Sequence, residues 1–137
     1  MRIKYVAEIE GSPVVQYVAN AWCQLMKEGH WDRTSVLISG GLSCVYAVEN
    51  KKVVGCLTWH GDDSNWTINL GYISPEYRRK GLYSKLHAAL LEKARAAHVP
   101  QITSIVKPTN EPIRASKTKE GYVLHSLYYV KHVEAKG

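Results

Sequence analysis

Two apolar periods alternate along the chain. Leu42 to Val48 and Val53 to His60 are dense in β-branched and aromatic residues. The polar stretch Asn50-Lys51-Lys52 between them predicts two strands joined by a tight hairpin turn. A second polar run, Gly61-Asp62-Asp63-Ser64-Asn65, leads to a third strand over Trp66 to Ile73, completing an antiparallel meander. Gly71 falls inside this third strand, where a glycine marks a bulge or a close approach of backbone. The period then changes. Leu82, Leu86, Ala89, Leu90 and Ala97 recur at spacings of three and four, with Lys85, Glu92 and Lys93 between them, the pattern of an amphipathic helix with one buried face. A similar stripe, Val14, Val18, Ala21, Trp22 and Leu25, predicts an earlier helix ending near Glu28 and Gly29, with Ser12 as its cap and Pro13 in its first position.

The remaining segments complete the order. Ile3 to Ile9 reads as a first strand, and His30 to Gly41, with Trp31 and two adjacent glycines, reads as a loop. "QITSIV", Gln101 to Val106, is a short strand, parallel to the third strand of the meander because a helix crosses between them. A helix from Pro108-Thr109-Asn110 to about Glu120 is stopped by Gly121, and Tyr122 to Val133 is a long final strand. Strand, helix, three strands, helix, strand, helix, strand is an α+β arrangement with helices packed on a sheet. At 137 residues with 45% apolar content, one domain spanning residues 1–137 is expected.

Charge is distributed unevenly. The formal net charge is +6, yet the first 70 residues carry 6 basic and 7 acidic side chains against 12 and 5 in the remainder. A basic half is compatible with a phosphorylated cofactor, with nucleic acid or with a solvated surface. Cys23, Cys44 and Cys56 are odd in number and lack metal-ligand spacing, as do the six histidines, so free thiols in a reducing cytoplasm and no metal are expected. No apolar run approaches the ~20 residues of a membrane span, and the polar N-terminal decapeptide does not read as a signal peptide.

The candidate chemistry lies where the third strand gives way to the central helix. Ser74-Pro75 breaks the strand, and Arg78, Arg79 and Lys80 supply positive charge. Gly81 permits close backbone approach, and the helix opens with backbone N–H groups that have no intrahelical acceptor. Such a turn suits a phosphate or pyrophosphate, to which Ser84 adds a hydroxyl.

The wording "PEYRRKGLYSKL" resembles the acetyl-CoA signature of the GCN5-related N-acetyltransferase (GNAT) family, Gln/Arg-x-x-Gly-x-Gly/Ala. Arg78 and Gly81 match it, and Tyr83 stands where a small residue is expected. "NEPIRASKTKEGY" is similar to that family's last helix, and the element order agrees throughout. The resemblance implies a GNAT-like fold: a mostly antiparallel central sheet with one parallel, splayed strand pair and helices on both faces. It implies acetyl-CoA as co-substrate, its pantetheine arm held by backbone of Tyr72 and Ile73. Its pyrophosphate would meet the residues Arg78, Arg79, Lys80, Gly81, Leu82, Tyr83 and Ser84, with Asn110 on the far side. An amide near Gly71 would polarise the thioester carbonyl.

The reaction implied is direct attack of an amine on the thioester, which needs a base and an acid. Lys117 occupies the position of the family's usual tyrosine acid, four residues before the helix-ending glycine, and reads either as a group serving the thiolate or as a solvated lysine. Tyr83 and Ser116 are substitutes. The strand "WTINLGYIS" has no carboxylate to act as base, which leaves His60, because imidazole titrates near neutral pH; an ordinary strand-end histidine is the alternative. Asp62 and Asp63 would either attract a cationic acceptor or serve the turn alone. The partner implied is an amine-bearing small molecule or protein, and the exposed sheet edge is compatible with a homodimer. The competing reading is an inactive CoA-binding or nucleic-acid-binding module on the same fold, although no nucleic-acid motif is present.

Overall fold

The computed structural model describes residues 1–28, 41–104 and 118–122. The chain forms two compact units, Met1–Ile105 and Val106–Gly137. In the first unit the elements are β1 (Arg2–Val6), α1 (Val15–Lys27), β2 (Ser43–Glu49), β3 (Lys52–Gly61), β4 (Trp66–Ile73), a 3₁₀ turn (Pro75–Tyr77), α2 (Leu82–Ala96) and β5 (Ile102–Ser104). The five strands form one sheet in the order β1-β2-β3-β4-β5. All neighbours are antiparallel except β4 and β5, which pair in parallel over Trp66–Ile102, Thr67–Thr103 and Ile68–Ser104. The expected mixed sheet is present.

The meander forms because its turns are locally specified. Asn50 and Lys51 both have positive φ, 51° and 65°, and Glu49 pairs with Lys52, so the β2–β3 connection is a two-residue turn with both central residues left-handed. Asparagine tolerates that conformation and lysine pays for it. Replacing Lys51 by glycine is therefore expected to stabilise the protein by about 0.5 to 1 kcal/mol, read as a raised urea midpoint. An unchanged or lowered midpoint would show that the turn is not strained at Lys51. At the β3–β4 turn, Asp62 Oδ1 accepts hydrogen bonds from the Ser64 N–H (2.9 Å), the Ser64 hydroxyl (2.7 Å) and the Asn65 N–H (3.2 Å). These bonds, that of the Ser64 hydroxyl foremost, lower the pKa of the Asp62 carboxyl.

A helix covers each face of the sheet. Val14, Val18 and Ala21 pack with Cys44, Tyr46, Cys56 and Leu70, while Leu82, Leu86 and Leu90 of α2 pack with Val45, Leu57 and Trp59. Burial of Leu86 and Leu90, each 0% exposed, contributes roughly 1.5 to 3 kcal/mol apiece. Trp59 stacks on Trp66 and Tyr5 and belongs to this core.

Three expectations are corrected. The first strand ends at Val6, and Ile9 is instead buried in a turn, its N–H donating to the Leu42 carbonyl at 2.9 Å. Ser12 does not cap α1: one extra turn intervenes, Val14 holds the cap position, and the Ser12 hydroxyl is buried with no partner. Ala97 lies beyond the last helical turn of α2 and is exposed, so Ala94, four residues after Leu90, fills the stripe. In the second unit, Thr118 and Lys119 are helical and Gly121 follows at φ 91°, the expected helix stop. The loop expected over residues 30–40, the start of the last helix and the final strand lie outside the described residues.

Candidate cofactor and acyl-transfer site

Peptide groups of β4 face two ways, and the register shows which are available. The Ser74 N–H donates to the Val54 carbonyl at 3.0 Å, continuing the pairs Gly55–Ile73, Cys56–Tyr72 and Leu57–Gly71. Val54 and Ser74 are thus a hydrogen-bonded pair. Because peptide groups alternate along a strand, Ile73 and Gly71 direct theirs away from β3, and Tyr72 directs its own toward β3. Trp66 at the other end of the strand also faces outward, its N–H donating to the Gln101 carbonyl at 3.0 Å. Pairing with β5 is described only as far as Ile68–Ser104. Beyond that point β4 presents the peptide groups of Gly71 and Ile73 along an edge for which the described residues of β5 supply no strand partner.

A bulge separates these two halves of β4. Thr58 pairs with Leu70 while Trp59 pairs with Ile68, so Asn69 is the extra residue. Thr58, fully buried, donates its hydroxyl to the Asn69 carboxamide oxygen at 3.2 Å. The expected irregularity is therefore present, two residues before Gly71. Gly71 has the other role a strand glycine can have: a Cβ placed there would lie 2.8 Å from Tyr83 Cε2 and 3.3 Å from Leu57 Cδ1. The large side chain at the third signature position is accommodated because β4 has no side chain opposite it.

The basic turn follows directly. Arg79 is left-handed at φ 63°, and Gly81, at φ 75°, is the N-cap of α2 with no side-chain cap. The first helical bond runs from the Lys85 N–H to the Gly81 carbonyl (3.2 Å), so the helix offers no acceptor to the N–H groups before it. Among the described residues, nothing beyond its chain neighbours lies within 4 Å of a Cβ built on Gly81. Uncapped amides, the helix dipole and exposed Arg79, Lys80 and Ser84 together suit an anion, which makes this turn a candidate phosphate cradle. Leu82 is core-facing, 4% exposed, and offers the cradle only its backbone. Lys80 Nζ lies 5.5 Å from the Tyr77 ring.

Arg78 is engaged elsewhere. Its Nε donates to the Ile73 carbonyl at 2.8 Å, its guanidinium lies 5.3 Å from the Tyr72 ring centroid, and it comes within 3.9 Å of Glu28 at the end of α1. Tyr72 in turn meets Tyr17 edge-on, and Tyr17 exchanges a 2.8 Å hydrogen bond with Ser74. Burial raises the pKa of the Tyr17 phenol well above its ordinary value, which keeps it neutral and hydrogen-bonded. Sequence reasoning missed this network, since nothing local relates Tyr17 to a residue 57 positions away.

The catalytic candidates fall on opposite faces. Tyr83 reaches Gly71 from the α2 face and stacks on the buried His87, whose burial the α2 pattern did not predict. His60 shares the α1 face with Cys56 and Thr58 by strand alternation. Its Nδ1 is buried with no hydrogen-bond partner. It lines an open surface depression of about 560 Å³ with Gly41, Gly61, Asp62, Ser64, Asn65 and Thr67. Asn65 is fixed there by bonds to Thr67 (3.1 Å) and Thr103 (2.9 Å). Burial pushes the Cys44 thiol up to about 12 and raises Cys56 well above its usual range, so neither is a nucleophile at neutral pH. Asn110, Lys117 and Ser116 lie outside the described residues. Among the described residues no three His, Cys, Asp or Glu side chains converge, and no helix is long and apolar enough to cross a membrane.

The described residues thus combine a mixed sheet, a bulge in β4 and an uncapped helix start with a left-handed glycine. The chain belongs to the acetyltransferase (GNAT) family, whose model matches residues 12–116. The fold is shared with an aminoglycoside N-acetyltransferase, AAC(6')-Iy, in complex with CoA. The two are 15% identical with a TM-score of 0.68, covering 96% of this chain and 100% of that one. An aminoglycoside acetyltransferase from an uncultured soil metagenomic sample (18% identity, TM-score 0.68, 98% and 100% covered) is similar. So is the ribosomal-protein-alanine N-acetyltransferase of Brucella melitensis biovar Abortus 2308 (15%, 0.63, 97% and 100%). No curated protein sequence matches the chain.

Proposed function

We propose that this chain is an acetyl-CoA-dependent N-acetyltransferase, a single catalytic domain working in the cytoplasm on an amine-bearing acceptor. The observation that supports it best is that β4, with the peptide groups of Gly71 and Ile73 turned away from β3, leads through the basic turn to the uncapped helix start at Gly81. A pantetheine arm pairs like a strand, and a pyrophosphate binds at a helix start, so one ligand spans both. The match of the family model supports the same reading.

Acetyl-CoA supplies the acyl group as an activated thioester. The Gly71 N–H, turned away from β3, polarises the carbonyl as its oxygen gains charge. The acceptor amine forms the new C–N bond, the C–S bond breaks, and the amine proton passes toward His60 through a chain of waters, since His60 pairs with Thr67, four residues along β4 from Gly71. Tyr83 returns a proton to the departing thiolate. Base and acid on opposite faces suit this reaction, because amine and thiolate occupy different sides of the tetrahedral carbon. The Asp62 carboxylate beside His60 draws a cationic amine into the depression. The relatives' names cover both an antibiotic and a protein acceptor, so the acceptor is a matter for a screen.

Calorimetric titration with acetyl-CoA and with free CoA tests the donor, and thiol release over a panel of amines tests transfer. Saturable binding followed by amine-dependent thiol release is expected; failure of both ligands to bind would remove the reading. Replacing His60 by alanine is expected to slow transfer about 100-fold while leaving CoA affinity unchanged. An unaltered rate would return His60 to the turn.

A further inference from the structure

We propose that Arg78, the arginine of the signature, is a positioning residue that braces the end of β4, and that the counter-charge for the pyrophosphate comes from Arg79 and Lys80. This rests on the cofactor reading above for its ligand, though the brace itself is a property of the free protein. Four contacts argue for it. The Nε hydrogen bond is made to the Ile73 carbonyl, the acceptor at the end of β4 that faces away from β3. The guanidinium carbon lies over the Tyr72 ring, 5.3 Å from its centroid, and the peptide groups of Tyr72 belong to the β3 side. Glu28 meets Arg78 from the end of α1, and the Tyr17–Ser74 hydrogen bond ties α1 to the residue after Ile73. Arg78 thus joins strand edge, strand ring and helix at the point where β4 leaves the sheet.

The bend at Ser74 sets where the cradle stands relative to the edge, and one ligand must fit both. A planar guanidinium that donates sideways while lying over a ring is suited to hold such a bend, whereas a lysine ammonium has charge without that shape. Arg79 and Lys80 are exposed and adjoin Gly81, with no carboxylate partner among the described residues.

The experiment compares R78K, R78Q, R79K and R79Q. Amide exchange is read over residues 71–79 in the free protein, together with CoA affinity at several salt concentrations. In the free protein, R78K and R78Q are expected to speed exchange at Ser74 and Tyr77 alike, while both Arg79 variants leave it unchanged. In binding, R78K and R78Q are expected to lose roughly five- to tenfold in affinity with the salt dependence of the wild type. R79Q should flatten that salt dependence, and R79K should retain it. Wild-type exchange in R78Q, or wild-type affinity in R78K with a flattened salt response in R78Q, would overturn the proposal and make Arg78 a simple counter-charge. Failure of the unsubstituted protein to bind CoA would instead remove the cofactor reading, and the exchange data would still decide the brace.

Discussion

Replacing Gly71 by valine is expected to destabilise the protein by about 1 to 3 kcal/mol and to lower any acetyl transfer by two orders of magnitude or more. The Cβ alone would stand 2.8 Å from Tyr83 Cε2 and 3.3 Å from Leu57 Cδ1, and Leu57 is fully buried and unable to withdraw. Tyr83 must therefore move, or β4 must. If β4 moves, the Gly71 amide leaves the position from which it meets the thioester oxygen. The compensating change separates these outcomes. Tyr83→Ala vacates the space opposite Gly71, so the double variant G71V/Y83A should regain much of the stability lost by G71V, a coupling that a double-mutant cycle measures. Additive losses would mean that Tyr83 is not what makes a glycine necessary in β4. Because Tyr83 is also an acid candidate, stability rather than rate is the readout of the cycle.

The second large effect is expected at the cradle. Gly81→Val should reduce CoA affinity roughly 100-fold or more, equivalent to about 3 kcal/mol of lost binding. Folding should be weakened by only about 1 to 2 kcal/mol, the cost of a left-handed residue carrying a side chain. Among the described residues beyond its chain neighbours, nothing lies within 4 Å of the new Cβ, so the side chain fills space that the proposed site gives to the phosphates. Gly11 provides a matched control, since it has the same φ of 75° and equally open surroundings. Gly11→Val should carry a similar strain without a binding defect, in denaturation and calorimetry done side by side. Equal affinity losses in the two variants would indicate general damage and would take the turn out of the site.

Local signals made much of the molecule legible. Asn50-Lys51 sets a two-residue turn through backbone preference, Gly61 to Asn65 closes the next, and Ser74-Pro75 ends β4 where the structure ends it. Leu82, Leu86 and Leu90 give the buried stripe of α2, and Gly81 takes the left-handed conformation that only glycine adopts cheaply. The order of elements and the basic glycine turn follow from those signals, and the family follows from the turn. Asn110 and Lys117 were equally legible as motif positions, and they lie outside the described residues. His60 was legible as a candidate only by elimination, since sequence places it at a strand end without saying what surrounds it.

The amino-acid sequence by itself determined the order of the elements among the described residues and the basic glycine turn before α2, because each depends on residues within a few positions of one another. Only the tertiary structure decided which way β4 faces. Trp66, Ile68, Leu70 and Tyr72 read as one apolar face of a regular strand, yet Trp66 and Ile68 pack on the α2 side while Leu70 and Tyr72 pack on the α1 side. Asn69 inserts one residue between them, and an unbroken apolar alternation conceals the flip because both sides of the sheet are buried. That flip aims Gly71 at Tyr83, with its peptide groups turned away from β3. The role of Arg78 was decided in the same way: its charge is evident in the sequence, but its partners at Ile73, Tyr72 and Glu28 exist only once β4 and α1 are brought together by the packing of the core.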